Sequence, residues 1–275
     1  MNPQQLVESI CAVHLAHFVE GSLEQRGGLM LVGPPGALKS TLSAALTQFS
    51  DALLLSDINI PTLTNLRDAL AGGSINTLVF TELPKVYERN PQTALNIEGT
   101  LRAMASEGFS AASFEDSRIA RRRAHATIVG ALPPKIVDRH FARWEESGFN
   151  RRFLWAVYGL KGAYILDDAA VDLERLDLGV RDIPREPPLG RTIPMLLSAD
   201  EKRRVKLLVS QQPGTSHTQQ IQLLSRMWAV LKWWHRENGD PKRANETIEA
   251  FSKSLTRDGA DLDLTQNGVA KKPKK

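Results

Sequence analysis

Three groups of residues have the types and spacing to do chemistry. The first is Gly33-Pro34-Pro35-Gly36-Ala37-Leu38-Lys39-Ser40-Thr41. It is one letter from G-x-x-x-x-G-K-[ST], a loop whose backbone N–H groups cradle phosphates while the lysine neutralises them and the hydroxyl reaches Mg2+. Gly33, Lys39 and Ser40 stand where that spacing requires, and Leu38 replaces the glycine that lets backbone approach phosphate closely. A leucine is compatible with binding there if its φ and ψ are helical and its side chain points away. Pro-Pro-Gly also suits a plain turn. A plain turn explains neither the Lys-Ser-Thr that follows nor the glycine-to-lysine spacing, so the loop points to nucleotide binding, with Ser40 offered to Mg2+.

The second group is Arg118, Arg121, Arg122 and Arg123. Clustered guanidiniums neutralise nucleic-acid phosphates and release counterions. The competing reading is a solvated loop flanked by Glu115 and Asp116. The third group is Cys11, His14 and His17, spaced by three on the first expected helix. That spacing suggests a metal, but successive steps of three drift around an α-helix and no fourth ligand is near. Helix residues that are partly buried are the better reading. Trp228, Trp233 and Trp234 could stack on bases. At this helical spacing Trp228 reads as core, with one of the other two packing at a domain or subunit contact. No Ser-His-Asp or Cys-His arrangement is legible.

The elements that must position these residues follow from hydrophobic pattern. A helix is expected over 4–20. Short apolar runs at 29–32, 52–55, 78–80, 127–129 and 154–158 read as buried strands. Helical stripes fall between them: one follows the loop (Leu42, Ala45, Leu46, Phe49) and one covers 92–107. Strands alternating with helices imply a parallel sheet with crossovers, and α/β sites form at the carboxyl ends of such strands. Residues 161–196 are rich in Pro, Asp and Arg and read as a linker or arm. Ser198-Ala199-Asp200-Glu201 is a capping box opening a helix. Further helices are expected at about 216–236 and 242–255, and a disordered basic tail over 257–275. The expected organisation is a core over 1–160, the arm over 161–196, a helical subdomain over 197–256, and the tail.

Composition bounds the answer. The chain has 275 residues, 42% hydrophobic and 24% charged, which suits one large soluble domain. Its net charge of +4 is compatible with nucleic acid. A single cysteine excludes an intrachain disulfide and suggests a reducing compartment. No apolar run approaches the ~20 residues of a membrane span. The first residues lack a secretory pattern, so a cytoplasmic location and no membrane partner are expected.

The order of these motifs resembles the AAA+ ATPases, most closely the minichromosome-maintenance helicases and related phage and plasmid primase-helicase ATPases. That family's loop also replaces the last glycine, in a G-x-P-G-x-A-K-S pattern. The resemblance implies a P-loop NTPase fold of AAA+ type with a C-terminal helical lid. Thr77-Leu78-Val79-Phe80-Thr81-Glu82 resembles the family's Walker B strand. Glu82 then matches the glutamate that polarises the attacking water, and Thr81 stands where an Mg2+-orienting aspartate belongs. Pro133 takes the place of a polar sensor-1 residue. Gly148-Phe149-Asn150-Arg151-Arg152-Phe153 resembles the arginine-finger segment. Arg152 would act in trans on a neighbour's γ-phosphate, which implies a ring or filament of this chain. The arginines at 118–123 would sit on a hairpin that touches DNA, and Arg226 would be a lid sensor. The implied activity is hydrolysis of ATP by a helicase- or translocase-like DNA motor of phage or mobile-element kind. The departures at Leu38, Thr81 and Pro133 all touch Mg2+ or γ-phosphate handling. They leave open a nucleotide-gated assembly or regulatory protein with weak or no hydrolysis, or an ATPase that remodels a protein partner. Asp57 is the nearest carboxylate to compensate for Thr81.

Overall fold

The computed structural model describes residues 1–21, 26–56, 66–108, 125–161, 180–212, 217–256 and 258–263. The apolar runs become strands β1 (Gly28–Val32), β2 (Ala52–Leu55), β3 (Thr77–Phe80), β4 (Thr127–Leu132) and β5 (Phe153–Lys161), joined by β6 (Ala260–Asp263). They form one sheet in the order β2-β3-β4-β1-β5-β6, with every pair parallel. The helices are α1 (Pro3–Leu15), α2 (Lys39–Ser43), α3 (Arg67–Gly72), α4 (Pro84–Tyr87), α5 (Pro91–Ala105), α6 (Pro134–Ser147), α7 (Ala199–Val209), α8 (Thr218–Glu237) and α9 (Pro241–Ser254).

A parallel sheet must be covered on both faces, so its central strands are apolar at consecutive positions rather than alternate ones. In β1 all five residues are buried. Leu29 and Leu31 enter one core with α1, α2, α7, α8 and α9, whereas Met30 and Val32 enter another with α4, α5 and α6. The result is a three-layer α/β/α arrangement, compatible with a P-loop-like fold. Among the described residues no helix is long and apolar enough to cross a membrane.

Several expectations are revised by packing. The C-terminal helices do not form a core of their own: Leu224, Trp228, Ile248 and Phe251 share one hydrophobic cluster with Leu6 and Ile10 of α1. The buried Glu8 carboxylate of α1 joins the same helices. It accepts from Gln4 Nε2 (2.8 Å), Thr247 Oγ1 (2.8 Å) and Arg243 Nη2 (2.7 Å), and His235 Nε2 lies 3.3 Å away. The described part of the arm is also attached. Ile193 is fully buried, donates to Phe18 O and accepts from Glu20 N. Residues 260–263, expected in a disordered tail, are an edge strand on β5. Helix α6 is one of the crossovers that alternating strands and helices imply, although no bounds are expected for it from pattern.

Boundaries follow local chemistry. Ser198 caps α7 as its pattern predicts: its hydroxyl accepts from Glu201 N (3.2 Å) and its own N–H donates to the Glu201 carboxylate (2.7 Å). Strand β4 does not stop at Gly130 but runs to Leu132. A Cβ at Gly130 would lie 2.8 Å from both Leu83 Cδ2 and Met30 Sδ, so any larger residue would displace those side chains.

Candidate nucleotide site

Strand order assembles the site. β3, β4 and β1 are neighbours, with Phe80 level with Gly130 and Gly130 level with Met30. The loop after β1, the turn after β3 and the first residue after β4 therefore emerge along one carboxyl edge, where α/β proteins bind ligands. These are residues 33–38, 81–83 and 133, each from a different part of the sequence.

The loop is anchored at both ends. Gly33 N donates to Leu132 O (3.2 Å), and Ala37 N donates to Pro34 O (3.2 Å). A side chain at Gly33 would place Cβ 2.9 Å from Tyr158 O and 3.1 Å from Ala37 Cβ. The buried Tyr158 hydroxyl of β5 donates to Ala37 O (3.2 Å) and props the loop from below. Sequence reasoning missed Tyr158, because nothing local marks a tyrosine more than a hundred residues away as a loop support. Pro34, Pro35 and Gly36 face solvent, and Gly36 has φ 75°, a conformation glycine adopts freely. Ser40 is exposed and Thr41 half-buried.

Lys39 folds back over this loop. Its Nζ donates to Gly33 O (2.8 Å) and Pro34 O (2.7 Å). Burial lowers its pKa from the ordinary lysine value. The ammonium thus sits across the loop that would cradle a phosphate chain, held by carbonyls it can exchange for phosphate oxygens. The first N–H groups of a helix have no intrahelical partner, so those of Lys39, Ser40 and Thr41 add donors beside it. Lysine, hydroxyl and backbone donors on one side of an open loop fit a polyphosphate with its metal ion.

Leu38 departs from expectation in an instructive way. Its φ of 55° and ψ of 19° lie in the left-handed region, not the right-handed helical values that would have made leucine harmless. The position therefore demands what glycine supplies without strain. Leucine is held there because its side chain is 5% exposed and packs into the core, away from the loop mouth. α2 is also shorter than its apolar stripe suggested. It ends at Ser43, and the chain continues as a 3-10 turn over Ala44–Gln48.

The catalytic candidates fare unevenly. Glu82 lies at the site edge but faces solvent, with its carboxylate 3.8 Å from Lys85 Nζ. Thr81 Oγ1 donates to Leu55 O (3.4 Å), so the hydroxyl is turned toward β2. Pro133 begins α6 as its N-cap. Arg152 precedes β5, at the opposite end of the strands from the loop. Its guanidinium is buried against its own chain, donating to Gly148 O (2.7 Å), with Ser106 Oγ at 3.5 Å and Glu107 Oε1 at 3.4 Å. A residue that reaches a neighbouring subunit must be exposed, and in this segment Arg151 is the exposed arginine. Arg226 lines a hollow with Glu20 and Gly21; burial first, then Arg226, lowers the pKa of Arg26, just before β1. Arg118, Arg121, Arg122, Arg123 and Asp57 lie outside the described residues.

No protein-family model matches the chain, and no curated protein matches it at a significant level.

Proposed function

We propose that this chain is a P-loop protein that binds ATP with Mg2+ at residues 33–41. One observation carries the reading: Lys39 Nζ bridges Gly33 O and Pro34 O across a glycine-bearing loop at the sheet's carboxyl edge. Lys39 and the adjacent backbone N–H groups would hold the β- and γ-phosphates, and Ser40 would offer its hydroxyl to Mg2+. ATP supplies binding energy and, if hydrolysed, the drive for a conformational cycle. The resemblance to AAA+ helicases extends the proposal to an oligomeric, ATP-driven motor on DNA.

A second reading is favoured by the end of β3. Thr81 is turned toward Leu55 O, and Glu82 is drawn toward Lys85. Neither offers the paired carboxylates that orient Mg2+ and water. That arrangement supports a nucleotide-gated assembly protein with slow or no turnover.

The test is equilibrium binding of a fluorescent ATP analogue, beside ATP turnover with and without single-stranded DNA. Lys39→Ala is expected to weaken binding by at least about tenfold, the loss of one charge-assisted contact. DNA-stimulated turnover abolished by Glu82→Gln supports the motor. Binding without turnover supports the gated assembly. Binding unchanged by Lys39→Ala would sink both.

A further inference from the structure

The histidines set aside in the sequence meet a carboxylate in three dimensions. His14 lies in the last turn of α1, and His17 lies in the 3-10 turn Ala16–Phe18 that continues it. Residues three apart on a helix are surface neighbours. The two rings lie together, with centroids 5.3 Å apart. Asp51, just before β2, comes between them. His14 Nε2 is 3.2 Å from Asp51 Oδ1, and His17 Nε2 is 3.5 Å from Asp51 Oδ2. The three candidate ligand atoms all lie within 4.8 Å of one another.

The outer contacts orient all three groups. His17 Nδ1 lies 2.6 Å from His14 O, and a carbonyl only accepts, so Nδ1 carries the hydrogen. In the neutral ring the lone pair is then on Nε2, aimed at a carboxylate oxygen. Two electron-rich atoms face each other, an arrangement that a cation between them relieves. His14 Nδ1 is fixed by Thr77 Oγ1 at 2.8 Å, and Asn76 Nδ2 donates to Asp51 Oδ2 (2.8 Å). His14 Nε2 and Asp51 Oδ1 are buried, and no well-aligned hydrogen bond reaches either. Histidines held through Nδ1 and a hydrogen-bonded carboxylate are what metal-binding proteins build around their ligands.

We propose that His14 Nε2, His17 Nε2 and Asp51 form a divalent-metal site of the Zn2+ type. Bonds of about 2.0–2.1 Å in a tetrahedron put ligand atoms about 3.3 Å apart. His14 Nε2 and His17 Nε2 lie 3.2 and 3.5 Å from different oxygens of Asp51, and the three ligand atoms lie within 4.8 Å of one another, so side-chain rotation would close them on one ion. Three protein ligands leave a fourth position for water. The ion would tie α1 to the amino ends of β2 and β3, at the opposite edge of the sheet from Lys39. Arg26 is the competing positive charge nearby, and its Nη2 donates to Asn76 Oδ1 (3.3 Å).

The test is titration of chelator-stripped protein with Co2+, read by the visible bands of tetrahedral cobalt, then displacement by Zn2+. One equivalent per chain with tetrahedral bands is expected, together with a rise in Tm on adding Zn2+. Asp51→Asn and His17→Gln should abolish the bands. Thr77→Val, which only orients His14, should weaken binding by about 10–100-fold. Lys39→Ala should leave all of this unchanged, so failure of the nucleotide reading would not mimic failure here. Absence of stoichiometric binding by the native chain would overturn the proposal. So would bands that survive in folded Asp51→Asn and His17→Gln. If those variants do not fold, the native cobalt spectrum decides alone.

Discussion

Leu38 yields the sharpest prediction, because two opposed contributions meet in one residue. Its left-handed backbone costs an L-residue about 1–2 kcal/mol. Its buried side chain, 5% exposed, contributes about 1.5–3 kcal/mol. Burial outweighs strain, which is why leucine can stand where glycine is usual. Leu38→Ala should lose about 2–5 kcal/mol, since it removes the packing and keeps the strain. Leu38→Gly loses the same packing but releases the strain. Glycine should therefore be the more stable of the two by about 1 kcal/mol, although it is the worse residue in a helix. The control is Ala142→Gly on the exposed face of α6, where glycine should be worse by about 1 kcal/mol. Equilibrium urea unfolding of the three variants measures this directly. If Leu38→Ala equals or exceeds Leu38→Gly, the backbone strain at position 38 is not real.

Three further outcomes are expected. Gly33→Ala should weaken nucleotide binding more than it lowers stability, because its Cβ would push on Tyr158 O and Ala37 at 2.9 and 3.1 Å; parallel binding and unfolding measurements separate the two. Glu8→Ala should destabilise by about 1–3 kcal/mol in urea, since it leaves the buried Thr247 hydroxyl and Gln4 amide without their acceptor, while the half-exposed Arg243 regains water. Acid should destabilise the chain in two stages. Burial, Arg26 and His14 hold His17 down to about 3, so between pH 6.5 and 3 the unfolded chain binds a proton that the folded one refuses. Stability then falls with falling pH by up to about 1.4 kcal/mol per unit. Burial would raise Asp51, but His14, Asn76 and His17 outweigh it and bring its pKa to about 2, which extends the loss from pH 3.8 to 2. His17→Gln should flatten the upper stage in unfolding curves taken with chelator present.

The sequence by itself determined the elements whose signal is local. The apolar runs of β1, β3 and β4 became strands because a strand covered on both faces must be apolar at every position, whereas β2 is an edge strand with Leu54 exposed. Ser198 capped its helix because both partners of a capping box lie within one turn. The spacing of residues 33–41 was readable for the same reason, since their glycines, lysine and hydroxyl are contiguous. Tertiary structure decided whatever depends on which surface meets which. The polar run at 260–263 became a strand only because β5 offered an unpaired edge. The C-terminal helices showed apolar stripes, but a stripe does not say what covers it, and α1 with the sheet does so here. Helix α6 has no bounds legible in the sequence, because its charged residues interrupt the stripe and Trp144 is its one fully buried side chain. Arg152 was placed by pattern at a subunit contact and by packing inside its own chain. Leu38 revealed its left-handed backbone only where the loop closes on β4 and β5. Asp51 is more than thirty residues from His14 and His17, and no periodicity in the sequence records that folding brings the three within 4.8 Å.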